Sequence, residues 1–349
     1  VIDRDIHTIT SAELLEVAGL RPGEADLLAG GPPCQPFSKS AYWVGGDTKR
    51  LDDPRASTLG EYMRMVEETL PKTFLLENVY GLAYDRKDEG MTFLRDRIAK
   101  INESKGVRYS FSFKVLNTAH YGVPQIRERV FIIGSRDGSV FRFPQPRYAD
   151  PETASEQSSL LDISPYRTAW DAIGDLNDCE HDDSLRVGGR WADLLPTIPE
   201  GQNYLWHTEK GGGVPIFRWR SRYWSMLLKL AKARPSWTIQ AQPGSAIGPF
   251  HWKNRRLSHR EMCRIQTFPD NFEVVGGVSS VQRQIGNAVP SAMAEVLGLE
   301  IRDQLLGDAV DTTPSLVPRA RRRQPEPEAI VPVPTKYADV ANAADRIAR

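Results

Sequence analysis

A chain of 349 residues with 40% hydrophobic and 26% charged content can bury a sizeable core, and its length suits one large domain and a smaller one. No apolar run approaches the ~18–20 residues that a membrane-spanning helix needs. Its three cysteines (Cys34, Cys179, Cys263) share no metal-ligand spacing and cannot all pair, so neither a metal site nor a disulfide framework is suggested, and a reducing cytoplasm fits.

Taken in chain order, residues 2–9 can be extended, and Ser11 opens a short helix as its N-cap. Residues 25–29 read as a short buried strand running into Gly30-Gly31-Pro32-Pro33, which neither a helix nor an inner strand accommodates. Helical periodicity over 59–69 and 91–102 alternates with strand-like 73–77, 109–116 and 129–134. Such alternation predicts an α/β sheet with helices on its faces, and ligands bind beyond the carboxyl ends of such strands. After Pro144 the pattern breaks into Pro-, Gly- and Asp-rich stretches, read as a smaller loop-rich domain, before helices return over 258–266 and 291–306. The expected division is 1–145 and 276–310 for the large domain, 146–275 for the small one, and 311–349 for a flexible tail, which contains Arg319-Ala-Arg-Arg-Arg323.

The zero net charge hides a strong polarity. Residues 150–200 hold twelve acids and three bases, whereas 201–270 hold twelve bases, three acids and five of the eight tryptophans. Arg218, Arg220 and Arg222 alternate with Trp219, Tyr223 and Trp224, a mixture suited to phosphates and bases; a solvated basic face over core tryptophans is the plainer alternative.

Three elements carry chemistry. A cysteine taken singly is most often a small buried hydrophobe. Around Cys34, however, three prolines and two glycines fix an irregular backbone, intelligible if the thiol must be presented at a set angle. Glu77 ends an apolar strand, where partial desolvation would raise its pKa and let it carry a proton near neutrality; a capping or salt-bridging role is the alternative. Arg127 and Arg129 stand two apart at a strand start, so both could face one site, or serve as ordinary ion-pair partners.

In this order the motifs resemble the cytosine-5 DNA methyltransferase family over roughly residues 1–305. Pro33-Cys34-Gln35 is similar to its nucleophile motif, Glu77-Asn78-Val79 and Gln125-Ile126-Arg127-Glu128-Arg129 to two further motifs, residues 256–270 to a helix organising the recognition domain, and residues 284–290 to its closing motif. The resemblance implies an S-adenosylmethionine-dependent methyltransferase fold, a Rossmann-like sheet with a smaller loop-rich recognition domain whose variable part spans about 150–235. It also implies methyl transfer to C5 of a flipped cytosine through a Cys34 adduct at C6, with Glu77, Arg127 and Arg129 as catalytic partners. Asp5, Pro33, Leu59, Asn287 and Val289 match positions near the methyl donor, and Ser38 and Arg55 positions near double-stranded DNA.

The family's first strand and Gly-rich donor-binding turn have no counterpart after Val1, so the sheet is expected to lack its first elements. A shortened chain, a separate polypeptide supplying that segment, and a decayed homologue kept for DNA binding are the open explanations. A tRNA-methylating enzyme and a non-enzymatic DNA-binding subunit are the alternatives to a bacterial restriction-modification methyltransferase.

Overall fold

A computed structural model describes residues 1–33, 57–83, 89–152, 163–177, 183–321 and 323–337. The chain divides into two compact units. The first comprises 1–117, 128–145 and 296–313; the second comprises 118–127, 146–295 and 314–349.

The first unit is built on strands β1 (Leu27–Gly30), β2 (Thr73–Val79), β3 (Ser110–Asn117) and β5 (Glu128–Ser135), while the two-residue β4 (Gln125–Ile126) belongs to the second. The sheet order is β1-β2-β5-β3, with β1 parallel to β2 and the other two pairings antiparallel, so the fold is mixed α/β with a mixed sheet. Residues 130–133 of β5 are all buried, as are Phe74 and Leu76 of β2, which explains their near-continuous apolar sequence. Helices α1 (Ser11–Ala18), α2 (Ser57–Thr69) and α3 (Glu89–Lys105) accompany the sheet. Leu59, Tyr62, Met63 and Val66 of α2 recur at helical spacing and enter one core with Met91, Leu94, Ile98 and Ile101 of α3. Each such side chain contributes about 1.5–3 kcal/mol on burial. The N-cap of α1 is Thr10 rather than Ser11, because Thr10 and Glu13 complete a reciprocal capping box.

The second unit has little regular structure. Among the described residues the short strands β6 (Tyr148–Ala149), β7 (Ser164–Pro165) and β8 (Ser236–Trp237) pair as β6 with β7 and β4 with β8. Helices α4 (Ala169–Ile173), α5 (His259–Ile265) and α6 (Val278–Asn287) surround a core containing Ile173, Trp252, Met262, Ile265, Val281 and Ile285. Helix α7 (Ser291–Leu305) leads the chain back to the first unit. Residues 276–295 thus cluster with the second unit, not with the first.

The segment read as a tail docks instead. Its residues from 314 to 337 run along the second unit, where Glu328 meets the buried ammonium of Lys232 and Tyr337 is 4% exposed. Partners distant in the sequence hold it, polar ones at Glu328 and an apolar core at Tyr337 and Val333, which is why its own composition read as unfolded.

Candidate active site and nucleic-acid interface

The parallel register of β1 and β2 sets Gly30 opposite Leu76, so the chain leaving β1 passes the residue that follows, Glu77. Gly30 is required there, since a Cβ would lie 2.7 Å from the Tyr62 ring. The Tyr62 hydroxyl lies 3.0 Å from the Leu28 carbonyl and 2.9 Å from that of Leu75, tying α2 to both strands. At Gly31 a Cβ would stand 3.2 Å from Oε2 of Glu77. The next two carbonyls are anchored as well: Asn78 Nδ2 donates to Pro32 at 3.2 Å, and Thr58 Oγ1 to Pro33 at 2.9 Å. The backbone is therefore fixed up to the residue before Cys34. Cys34, Ser38 and Arg55 themselves lie outside the described residues.

Glu77 is 8% exposed. Its Oε1 lies 3.0 Å from Nε of Arg129, which reaches it from the neighbouring β5. The carboxylate expected to be desolvated is thus also compensated by a guanidinium. Burial pulls the Arg129 guanidinium below its ordinary pKa, and Glu77 opposes that shift.

The two motif arginines take different partners. Arg127, 1% exposed, lies in the second unit and donates from Nη2 to the Gly286 carbonyl at 2.9 Å. Gly286 has no room for a side chain, because a Cβ would lie 2.5 Å from the Ala241 Cα and N. The residues before Arg127 are held by β4–β8 pairing and by Thr238 Oγ1, which donates to the Ile126 carbonyl at 2.8 Å. Sequence reading missed Thr58, Tyr62 and Gly286 as positioning residues; for Gly286 the only signal was a glycine inside a motif.

Of the residues matched to the methyl donor, Asp5 and Pro33 are exposed on the first unit. Asp5 caps a short turn, and its carboxylate is held below the ordinary range by hydrogen bonds from the His7 main chain and ring. Leu59 is 2% exposed inside the core cluster, so it underlies the surface without forming it. Asn287 is exposed at the end of α6, and Val289 is half-buried. Asp5 thus offers an exposed carboxylate and Pro33 an exposed ring, groups whose chemistry suits the amino group and the flat face of an adenine.

On the second unit Arg218, Arg220 and Arg222 are all exposed, beside Tyr223 at 77% and Trp224 at 46%. Trp224 meets Trp237 edge-on at 4.4 Å, whereas Phe217 and Trp252 are buried. The stretch thus keeps its cations and two aromatic faces in solvent. Among the described residues no helix is long and apolar enough to cross a membrane, and no three His, Cys, Asp or Glu side chains are grouped as metal ligands.

The model of the C-5 cytosine-specific DNA methylases matches residues 1–303. The chain belongs to this family. It is 45% identical over 313 residues to the Type II methyltransferase M.SacI of Streptomyces achromogenes, covering 86% of this chain and 77% of that protein. With the Type II methyltransferase M.NgoFVII of Neisseria gonorrhoeae it shares 32% identity over 269 residues, 76% of this chain and 67% of the relative. Solved structures of the Entamoeba histolytica methyltransferase EhMeth (TM-score 0.53, 16% identity, 87% of this chain and 83% of that one) and of a Spodoptera frugiperda DNMT2 variant (TM-score 0.53, 15% identity, 86% and 85%) share the fold. The C-5 cytosine-specific methylase match ends before the docked segment at 314–337.

Proposed function

We propose that this protein transfers a methyl group from S-adenosylmethionine to C5 of a cytosine flipped out of double-stranded DNA, within a Type II restriction-modification system of the bacterial cytoplasm. The observation that supports it most is the arrangement at the sheet's carboxyl end: a buried Glu77–Arg129 pair beside a backbone anchored up to the residue before Cys34. The family match and relatives named as Type II methyltransferases support the substrate class and the system.

Cytosine C5 is too weak a nucleophile to take a methyl group directly. Attack by the Cys34 thiolate on C6 forms a carbon–sulfur bond and moves an electron pair toward N3, leaving C5 enamine-like. Glu77 holds a proton at N3 and so stabilises that charge. Arg129 orients Glu77, and Arg127 braces the motif through Gly286. S-adenosylmethionine, when bound, supplies the electrophilic methyl; on the first unit Asp5 and Pro33 would hold its adenine end and Leu59 would support that surface, and Asn287 and Val289 are the donor contacts expected of the second unit. Loss of the C5 proton to a base then expels Cys34 and restores the aromatic ring. Ser38, Arg55 and the arginines at 218, 220 and 222 contact the DNA backbone. Residues 146–275 read the target sequence.

The test is a duplex carrying 5-fluorocytosine at the target, given with the methyl donor to the full-length protein. Fluorine cannot leave as a proton does, so a denaturation-resistant complex is expected with the wild type and not with Cys34→Ser. An equal yield from both proteins would overturn the assignment.

A further inference from the structure

We propose that Arg319 and Arg323 form a second contact to the DNA phosphate backbone, carried on a strap that the second unit holds in place. The run lies beyond the residues that match the family.

The strap is fixed on both sides of the run. Upstream, the main-chain N–H groups of Ser315 and Leu316 each donate to the Glu295 carboxylate at 2.8 Å. Downstream, the Glu328 carboxylate lies 3.1 Å from Nζ of Lys232, whose fully buried side chain also reaches Glu200 at 2.5 Å. Farther along, Tyr337 stacks on Trp191 at 5.8 Å and donates its hydroxyl to the Arg190 carbonyl at 2.7 Å.

Within the run the described arginines divide into an anchor and two exposed cations. Arg321 is the anchor: its main-chain N–H donates to Asp171 Oδ1 at 2.7 Å, and its Nη2 to Asp175 Oδ1 at 2.6 Å. Arg323 gives only its carbonyl, which accepts from Trp170 Nε1 at 2.8 Å. The side chains of Arg319 and Arg323 are exposed, and neither enters an ion pair among the described residues. The acids around the anchor are already engaged, Asp175 by Arg264 and Arg321, and Asp270 by Arg264 and Arg260.

Two uncompensated guanidinium groups on a fixed main chain are matched to a polyanion. They suit bidentate phosphate contacts, and little backbone entropy is left to lose on binding. Duplex DNA is the polyanion that the proposed function provides, and the inference rests on that reading.

The experiment measures equilibrium binding of the full-length protein to a mixed-sequence DNA duplex across salt concentrations. Arg319→Ala/Arg323→Ala is expected to weaken binding on the order of ten-fold at low salt and to flatten the log–log salt slope by about 1–2, at an unchanged melting temperature. The paired lysine variant, which keeps both charges, is expected to retain the wild-type slope. If the wild type binds steeply while the alanine variant matches it, the strap contact is overturned and the DNA reading stands. A wild type without affinity for duplex DNA overturns the reading beneath it. Weaker binding that tracks a lowered melting temperature assigns these arginines to docking of the strap and also overturns the contact.

Discussion

Nε of Arg129 stands 3.0 Å from Oε1 of Glu77 across the β2–β5 pairing, with both side chains largely withdrawn from solvent. Removing one member of a buried pair strands the other, so Arg129→Ala is expected to lose about 3 kcal/mol of stability. Glu77→Gln keeps the size and a hydrogen bond to Arg129 but cannot deliver a proton in the same way. Its kcat should fall by about 100-fold or more while melting changes little. Single-turnover methylation read beside thermal unfolding checks both; a Glu77→Gln enzyme of normal kcat would remove Glu77 from the chemistry.

Gly286 and Gly298 should respond oppositely to alanine. A methyl group at 286 would strike the backbone at Ala241 and displace the carbonyl that Arg127 holds, costing about 2 kcal/mol and lowering activity. Gly298 lies inside α7 with nothing within 4 Å of an added Cβ, so Gly298→Ala should stabilise the protein by about 0.5–1 kcal/mol. Melting temperatures of the two variants measure the contrast.

His251 makes stability depend on acid. Burial, followed by the nearby cations Arg255, Lys253 and Lys232, pushes its pKa down from 6.5 to about 2. Glu261 lies 3.3 Å from Nε2, but Arg255 already binds that carboxylate at 2.7 Å, and His251 Nδ1 accepts the Lys253 N–H, which favours a neutral ring. Because the unfolded ring takes up a proton that the folded one refuses, this contribution is complete above pH 6.5 and is lost as pH falls toward 2. Denaturant unfolding should weaken by at most about 1.4 kcal/mol per pH unit from this group, and His251→Gln should flatten the profile. An unchanged profile in the variant would assign acid sensitivity elsewhere.

Replacing Arg218, Arg220 and Arg222 together by alanine should reduce DNA affinity and the salt slope, by about 0.9 for each phosphate left unneutralised. All three are exposed, so the melting temperature should hold. Titrations at several salt concentrations decide whether the stretch contacts DNA or is a solvated face.

The sheet and its two long helices were legible because Leu59, Tyr62, Met63 and Val66 keep strict helical spacing and the apolar run before Glu77 is a strand buried along most of its length. Helix α6 was not read as one: β-branched and glycine residues punctuate it, and Gly277 caps it without a side chain. The Thr10 cap was readable from its pairing with Glu13 three residues on. The strap has no local pattern because its partners come from distant parts of the chain, Lys232 and Glu200 for Glu328 and Trp191 for Tyr337. At the site, the position of Glu77 at a strand end was visible in the sequence, whereas the division of labour between Arg127 and Arg129 depended on where residues 118–127 go.

Those ten residues interrupt what would otherwise be a simple hairpin. Asn117 and Glu128 are ladder partners, the last rung of β3 and β5, yet everything between them belongs to the second unit. That rung therefore marks where the covalent chain leaves the first unit and returns to it. Glu128 adjoins Arg129, so the return falls one residue before the partner of Glu77, and an insertion or deletion within 118–127 would bear on the backbone that carries this arginine.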